Sequence, residues 1–566
     1  MIQETGERIY SNDYFDLMLK FQANQSSVNS IPNSTVKILG QNTSILYVPV
    51  QQITNNTITQ FGYQAIPSLS GLISQPPLDA SGITKIRSIP GFSLRGQGVL
   101  IGIVDTGIDY TNPVFCNADN TTRIAALWDQ TIIGENYTSN TYYGTEYTRE
   151  QINLALKNRN PYDIVPSRDN NGHGTMVAGI AAGNEVPESN FSGVATDAEL
   201  VVVKLKPAKQ NLKDFWRIPA SAICYQENDI SIALEYLELT ANQLGKPMSI
   251  CLALGSSFGS HDNRSQLNYV LSLRAENFNF ALTIAAGNEG NARRHYFGRV
   301  NPSLGYDTVE LNVGNNEGNF SMELWGNTPG LFAMDIKTPS GEYIQRILPR
   351  TNENFDISFI FEKTHIVIDY QVVEAQSGDQ LILLRFTDPA PGVWTFRVYG
   401  KGDLSLSFHV WLPMEGFISN DTFFTRSDPY TTILSFGNAY EPITATAYNT
   451  SDDSLYINAS KGYTRSGVIK PEIAAPGVNI ISPTLDQGFT EVTGSSPAAA
   501  HTAGVAAMIL EWGIVKGNLP YINTADVKML MIRGARRNAA ISYPNPDWGY
   551  GILDVYSLFN SLRSGI

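Results

Sequence analysis

Four short segments carry the residue types that covalent chemistry needs. Asp105 ends the apolar run Val99-Leu100-Ile101-Gly102-Ile103-Val104 and is followed by Thr106-Gly107. A carboxylate at the carboxyl end of a parallel strand stands where open α/β sheets place their sites. An aspartate in a strand-ending turn reads the same way. His173 sits in Asn-Asn-Gly-His-Gly-Thr, ahead of small residues that let a helix press close to a sheet. Its imidazole suits a general base or a structural role. Nothing around it has metal-ligand spacing, so no metal is expected. Ser496, in Thr-Gly-Ser-Ser-Pro-Ala-Ala-Ala-His, reads as a helix N-cap with Pro497 at the first helical position. Backbone N–H groups at such an end favour developing negative charge, although a plain capping serine has the same signature. Asn288, in Ala-Ala-Gly-Asn-Glu-Gly, follows a strand-like run and can offer its amide to an oxyanion, or simply form a turn.

The segments between them say how these groups are positioned. Apolar runs recur at Leu200 to Val203, Met248 to Leu254 and Ala281 to Ala285, with helical patterns at His173 to Ala182 and Ile230 to Leu244. That alternation predicts an α/β domain built on a buried parallel sheet. A long apolar helix is expected from Pro497 to Trp512. From about Asp307 to Pro413 the period falls to two, as in Trp394, Phe396 and Val398, or Leu404, Leu406, Phe408, Val410 and Leu412. An inserted all-β sandwich or jelly roll is the expectation there. Residues ahead of the sheet predict a small α+β unit, with a helix over Tyr14 to Phe21 and strands at Thr35 to Leu39 and Ser44 to Val50. The turn-rich connector that follows includes Pro76-Pro77. The resulting division is 1–75, 76–306, 307–430 and 431–566.

Composition narrows the partners. The net charge of −14, from 39 basic and 53 acidic residues, argues against a nucleic-acid partner and against an anionic membrane surface. Three cysteines, Cys116, Cys224 and Cys251, imply no disulfide framework. The first residues lack the basic and apolar regions of a secretory signal, and no uninterrupted apolar run predicts a spanning helix.

Taken together and in this order, Asp-Thr-Gly, His-Gly-Thr, Ala-Ala-Gly-Asn and Gly-Ser-Ser resemble the signature set of the subtilisin-like serine proteases. The order Asp, His, Ser is the one that family uses. Lys470 to Ile480 is similar to its strand before the nucleophile turn. Leu254, Gly255 and Ser256 resemble the strand that lines its first specificity pocket. The resemblance implies acyl transfer by Ser496, with His173 as base, Asp105 orienting the imidazole and Asn288 in the oxyanion hole. It implies no cofactor. Where the family has Gly-Thr-Ser-Met-Ala-Ala-Pro, this chain has Ser495, Pro497 and Ala500 in place of the threonine, methionine and proline.

The order of units resembles the Csp-type germination proteases of spore formers. That likeness implies a chaperone prodomain that can stay bound after self-cleavage at about Gln75. It also implies a zymogen as protein substrate, such as the precursor of a cortex hydrolase, and a spore-associated location or a cytoplasmic one before the spore matures. An inactive sensor and a general nutritional protease are the alternatives.

Overall fold

The computed structural model describes the chain apart from residues 1, 21–31, 40–42, 55, 73–78, 90–91, 135–140, 351–352, 403, 405 and 564–566. At its centre lies the strand Leu100–Asp105, whose six residues are all buried. It is flanked by Met248–Leu252 on one side and Glu199–Lys204 on the other, both parallel to it. Phe280–Ala285, Ile443–Asn449 and Ile473–Pro476 extend the sheet outward from Met248–Leu252, and Ile124–Asp129 extends it beyond Glu199–Lys204. Antiparallel Thr145–Thr148 and Ser454–Leu455 finish the two directions. The strands are rich in Val, Ile and Ala because helices or packed chain cover both faces.

The helix Ser495–Leu510 packs on Phe280–Ala285, Met248–Leu252 and the helix His173–Ala182, and all of its residues are buried. Its alanines and Gly504 permit that approach, since a Cβ on Gly504 would stand 2.4 Å from the Val194 side chain. With the turn that continues it to Val515, this segment is long and apolar enough to cross a membrane, yet 83% of its apolar window is buried inside the protein. Its small-residue composition reflects close packing on the sheet.

The N-terminal unit departs from one expectation. Tyr14–Lys20 is a strand rather than a helix, pairing antiparallel with Thr43–Pro49, which also pairs with Thr35–Leu39. Phe15, Asp16, Leu17 and Met18 are all buried, so both faces are covered and no alternation shows. Long-range pairing has overridden the helix preference of Leu and Met. Asp16 meets Lys209 of the sheet domain, and its other oxygen accepts from Gln226 Nε2 at 3.0 Å and Asn228 Nδ2 at 2.9 Å. Lys209 Nζ also donates to the carbonyls of Arg8 at 2.9 Å and Tyr14 at 3.1 Å. Burial lowers the pKa of this ammonium, and the Asp16 charge opposes that shift.

The inserted module is two antiparallel sheets. One runs His295–Arg299, Ser407–Trp411, Phe320–Gly326, Gln380–Thr387, His365–Gln371, Asn354–Ser358 in spatial order. The other runs Tyr343–Ile347, Leu331–Lys337, Gly392–Lys401, Tyr306–Val313, Phe423–Phe424. The module therefore takes in His295–Arg299, upstream of Asp307, because that strand pairs with Ser407–Trp411 at the far end of the insertion. Leu404 falls outside the strand and is 67% exposed, whereas Phe408, Val410 and Leu412 are buried. Trp394 is fully buried, edge-on to Phe359 and Phe386 at 5.5 and 5.8 Å. Trp394→Ala is expected to cost about 3–5 kcal/mol. Thermal unfolding checks this, and an unchanged midpoint would show that the ring is not a core element.

The three units meet around Trp216. Its ring stacks on Phe258 at 4.7 Å and lies edge-on to Tyr63 at 5.8 Å, and Tyr63 in turn meets Trp325 at 5.2 Å. Glu323, on an insertion strand, accepts from the Tyr63 hydroxyl of the N-terminal unit. It also accepts from Gly259 N of the sheet domain at 2.9 Å and from Trp325 Nε1 at 3.0 Å. Burial pushes this carboxyl up to about 7 even against three donors.

Candidate active site

Asp105 lies at the carboxyl end of the central strand with no solvent exposure. Its Oδ1 accepts from Thr106 N at 2.7 Å and faces His173 Nδ1 at 2.8 Å. His173 opens its helix behind Gly172, which holds φ at +94°. Gly174 lets this helix end touch the strand end, for a Cβ there would lie 2.1 Å from the Gly107 carbonyl oxygen. With Nδ1–H directed at Asp105, Nε2 is left as an acceptor. It faces Ser496 Oγ at 3.1 Å. That hydroxyl also lies 3.2 Å from the Ala253 carbonyl oxygen. The structure thus brings carboxylate, imidazole and hydroxyl from positions 105, 173 and 496 into one hydrogen-bonded line.

Ser496 is not the N-cap. The helix begins at Ser495 with Gly494 as cap, at φ 151°. Ser496 and Pro497 therefore both fall in the first turn, where N–H groups have no intrahelical acceptor and a missing proline N–H removes no bond. Asn288 Oδ1 accepts from Ser495 N at 3.0 Å, and Ser495 Oγ accepts from Gly287 N at 3.0 Å. This reciprocal pair ties the Asn288 loop to the helix start. Because Oδ1 is engaged there, the NH₂ group of the same planar amide is turned to the other side.

Of the three residues expected along the cleft, Leu254 and Gly255 pair antiparallel with Leu72 and Gly71, while Ser256 is buried and its carbonyl accepts from Ser435 N at 2.7 Å. On the opposite edge Ser70 and Leu69 pair with Tyr225 and Gln226. The chain's own strand Leu69–Leu72 is therefore the middle of a three-stranded sheet. It runs toward Ala253, whose carbonyl neighbours the Ser496 hydroxyl. Gln75 lies outside the described residues.

Sequence reading missed the residue that fixes His173. Asp169 Oδ1 accepts from Thr106 Oγ1 at 2.9 Å and Gly172 N at 2.8 Å, and Oδ2 accepts from Thr175 N at 3.0 Å and Thr175 Oγ1 at 2.8 Å. It thereby locks the strand end to the helix start. An aspartate ahead of Asn-Asn-Gly just before a helix is the local signal that could have found it. His501 is buried, with Nε2 2.5 Å from Ser81 Oγ, and burial lowers its pKa to about 3. It stands apart from the line of three, consistent with its place on another helix face. All three cysteines are free.

Comparison with known proteins agrees with this geometry. The model described as the subtilase family matches residues 96–313 and 420–551. The subtilisin-like protease SBT3.8 of Arabidopsis thaliana is 24% identical over 474 residues, covering 73% of this chain and 56% of that protein. Subtilisin-like protease 3 of Trichophyton equinum is 24% identical over 288 residues, covering 50% of this chain and 57% of that protein. The chain thus spans little more than half the length of these two relatives. Among solved structures, the CspB protease of Clostridium perfringens superposes with a TM-score of 0.76 at 27% identity, covering 86% of this chain and 96% of that one.

Proposed function

Because the chain belongs to the subtilase family, we propose that it is a serine endopeptidase that first cuts its own connector and then activates a zymogen by limited proteolysis. The carrying observation is the line Asp105–His173–Ser496, closed at 2.8 and 3.1 Å. Ser496 Oγ attacks the scissile carbonyl while Nε2 of His173 takes its proton. The imidazolium, held by Asp105, returns that proton to the leaving amine, and water repeats the cycle on the acyl-enzyme. Ser496 N–H and the Asn288 amide receive the oxyanion. Leu254 and Gly255 hold the substrate as an added strand.

Self-processing is supported by Leu69–Leu72, which already occupies the strand position of a substrate and runs toward the nucleophile. Gln75 is the residue proposed to precede the cut, with Leu72 or a neighbour as the alternative. The buried contacts of Asp16 and Tyr63 favour an N-terminal unit that stays bound afterwards. The order of units, which resembles that of the Csp-type germination proteases, is the ground for extending the proposal to a spore-associated role, with the precursor of a cortex-degrading hydrolase as substrate.

Purified wild-type protein is expected as two copurifying fragments, and N-terminal sequencing of the larger should read a start between residues 73 and 79. A start outside residues 66 to 82 would overturn the proposed boundary. An intact, folded wild-type chain would overturn self-processing. Incubation with the zymogen then tests the second step: a single defined cut supports it, and many cuts identify a general protease instead.

A further inference from the structure

Immediately upstream of the strand in the cleft, the chain is held by two grips outside the site described above. Trp216 Nε1 donates to the Pro67 carbonyl at 3.0 Å. At the next residue Glu227, the first residue of the helix Glu227–Leu244, takes hold of Ser68 through three groups. The Glu227 backbone N donates to the Ser68 carbonyl at 3.2 Å. Its carboxylate accepts from the Ser68 hydroxyl, and the Ser68 backbone N–H also favours its charged form. Both residues are buried, at 8% and 5% exposure. Burial pushes the carboxyl up to about 7 against these donors.

A strand between two edges can slip, and each step of one residue turns every side chain to the opposite face. The described pairings of Leu69–Leu72 are few, two residues on each edge. Two of the four residues are serine and glycine, which specify register weakly. Glu227 removes that freedom. It reads a hydroxyl and both backbone groups of a single residue at a fixed distance from the cleft.

We propose that Glu227 is a positioning residue that sets the register of chain entering the cleft, and that it selects serine or threonine four residues before the position Leu72 occupies. The same grip then applies to a protein substrate when Leu69–Leu72 vacates the cleft after the cut, the rest of the N-terminal unit staying bound. This rests on the reading of the cleft as a protease site.

The test has two arms, so that failure of the grip and failure of self-processing are distinguishable. In the uncut Ser496→Ala chain, hydrogen exchange reports the grip without any cutting. Glu227→Ala is expected to speed exchange of the Leu69–Leu72 amides about ten- to hundredfold. Glu227→Gln, which keeps an acceptor, should recover part of that protection. Unchanged exchange in Glu227→Ala, with the rest of the fold protected as before, would overturn the proposal. In the active chain, Ser68→Ala and Glu227→Ala should turn a single N-terminus of the large fragment into several, offset by one or two residues. Ser68→Thr should restore one. A single unchanged terminus in both alanine variants would likewise overturn it. If wild type is never cut, self-processing fails while the exchange arm still decides the grip.

Discussion

Ser496→Ala is expected to give one uncut chain and to lower peptide hydrolysis by about 10⁶-fold, since a comparable triad loses that much when its nucleophile is removed. His173→Ala should fall as far, and the double variant little further, because the hydroxyl and imidazole act as one unit. Ser496→Ala removes only a hydroxyl oxygen, so folding should survive it; His173→Ala empties a buried site beside Asp105, and its fold is checked by thermal unfolding. Intact-mass spectrometry reads the cut, and a fluorophosphonate reads the nucleophile by labelling Ser496 in wild type alone. A Ser496→Ala chain that still cut itself at the same bond would overturn the assignment. Wild type that folds yet takes no label would show that the replacements at Pro497 and Ala500 have silenced the site.

Asn288→Ala should lower kcat by about 10²–10³-fold, equivalent to about 2.7–4 kcal/mol of lost oxyanion stabilisation, with KM nearly unchanged. The split matters because Asn288 also braces the helix start through Ser495 N. Loss of that brace alone would disturb folding and substrate binding together. Asn288→Asp separates the roles: it keeps an acceptor for Ser495 N but replaces the donor with negative charge. It should be at least as inactive as the alanine variant while melting near wild type. Wild-type kcat in Asn288→Asp would remove Asn288 from the oxyanion hole.

The site was legible in sequence to the extent that each group is positioned by its immediate neighbours. Gly172 and Gly174 around His173, the apolar run into Asp105, and the small-residue helix after Ser496 are all contiguous signals. They specify a helix or strand end that can approach the sheet. The helix start was misplaced by two residues because a serine before proline imitates an N-cap, whereas Gly494 supplies the needed backbone angle. What stayed hidden depends on partners far away in the chain. Tyr63 finds Glu323 across 260 residues, and Ser68 finds Glu227 across 159. No local period encodes either meeting. The strand Tyr14–Lys20 was hidden for a related reason, since the face that would read as polar is sealed by Lys209.

The chain's linear order also has a consequence in time. A ribosome delivers Leu69–Leu72 early, then the strand carrying Asp105 and the helix carrying His173, and only near the end the helix carrying Ser496. Domains generally fold from the N-terminal side during synthesis. Here the last parallel strands, Ile443–Asn449 and Ile473–Pro476, and the helix Ser495–Leu510 must emerge before the sheet is whole. The nucleophile therefore reaches its base only after the polypeptide destined for the cleft has long been available to occupy it. A nascent protein built in this order has no interval in which a finished triad stands open to its neighbours, and its first encounter is with itself.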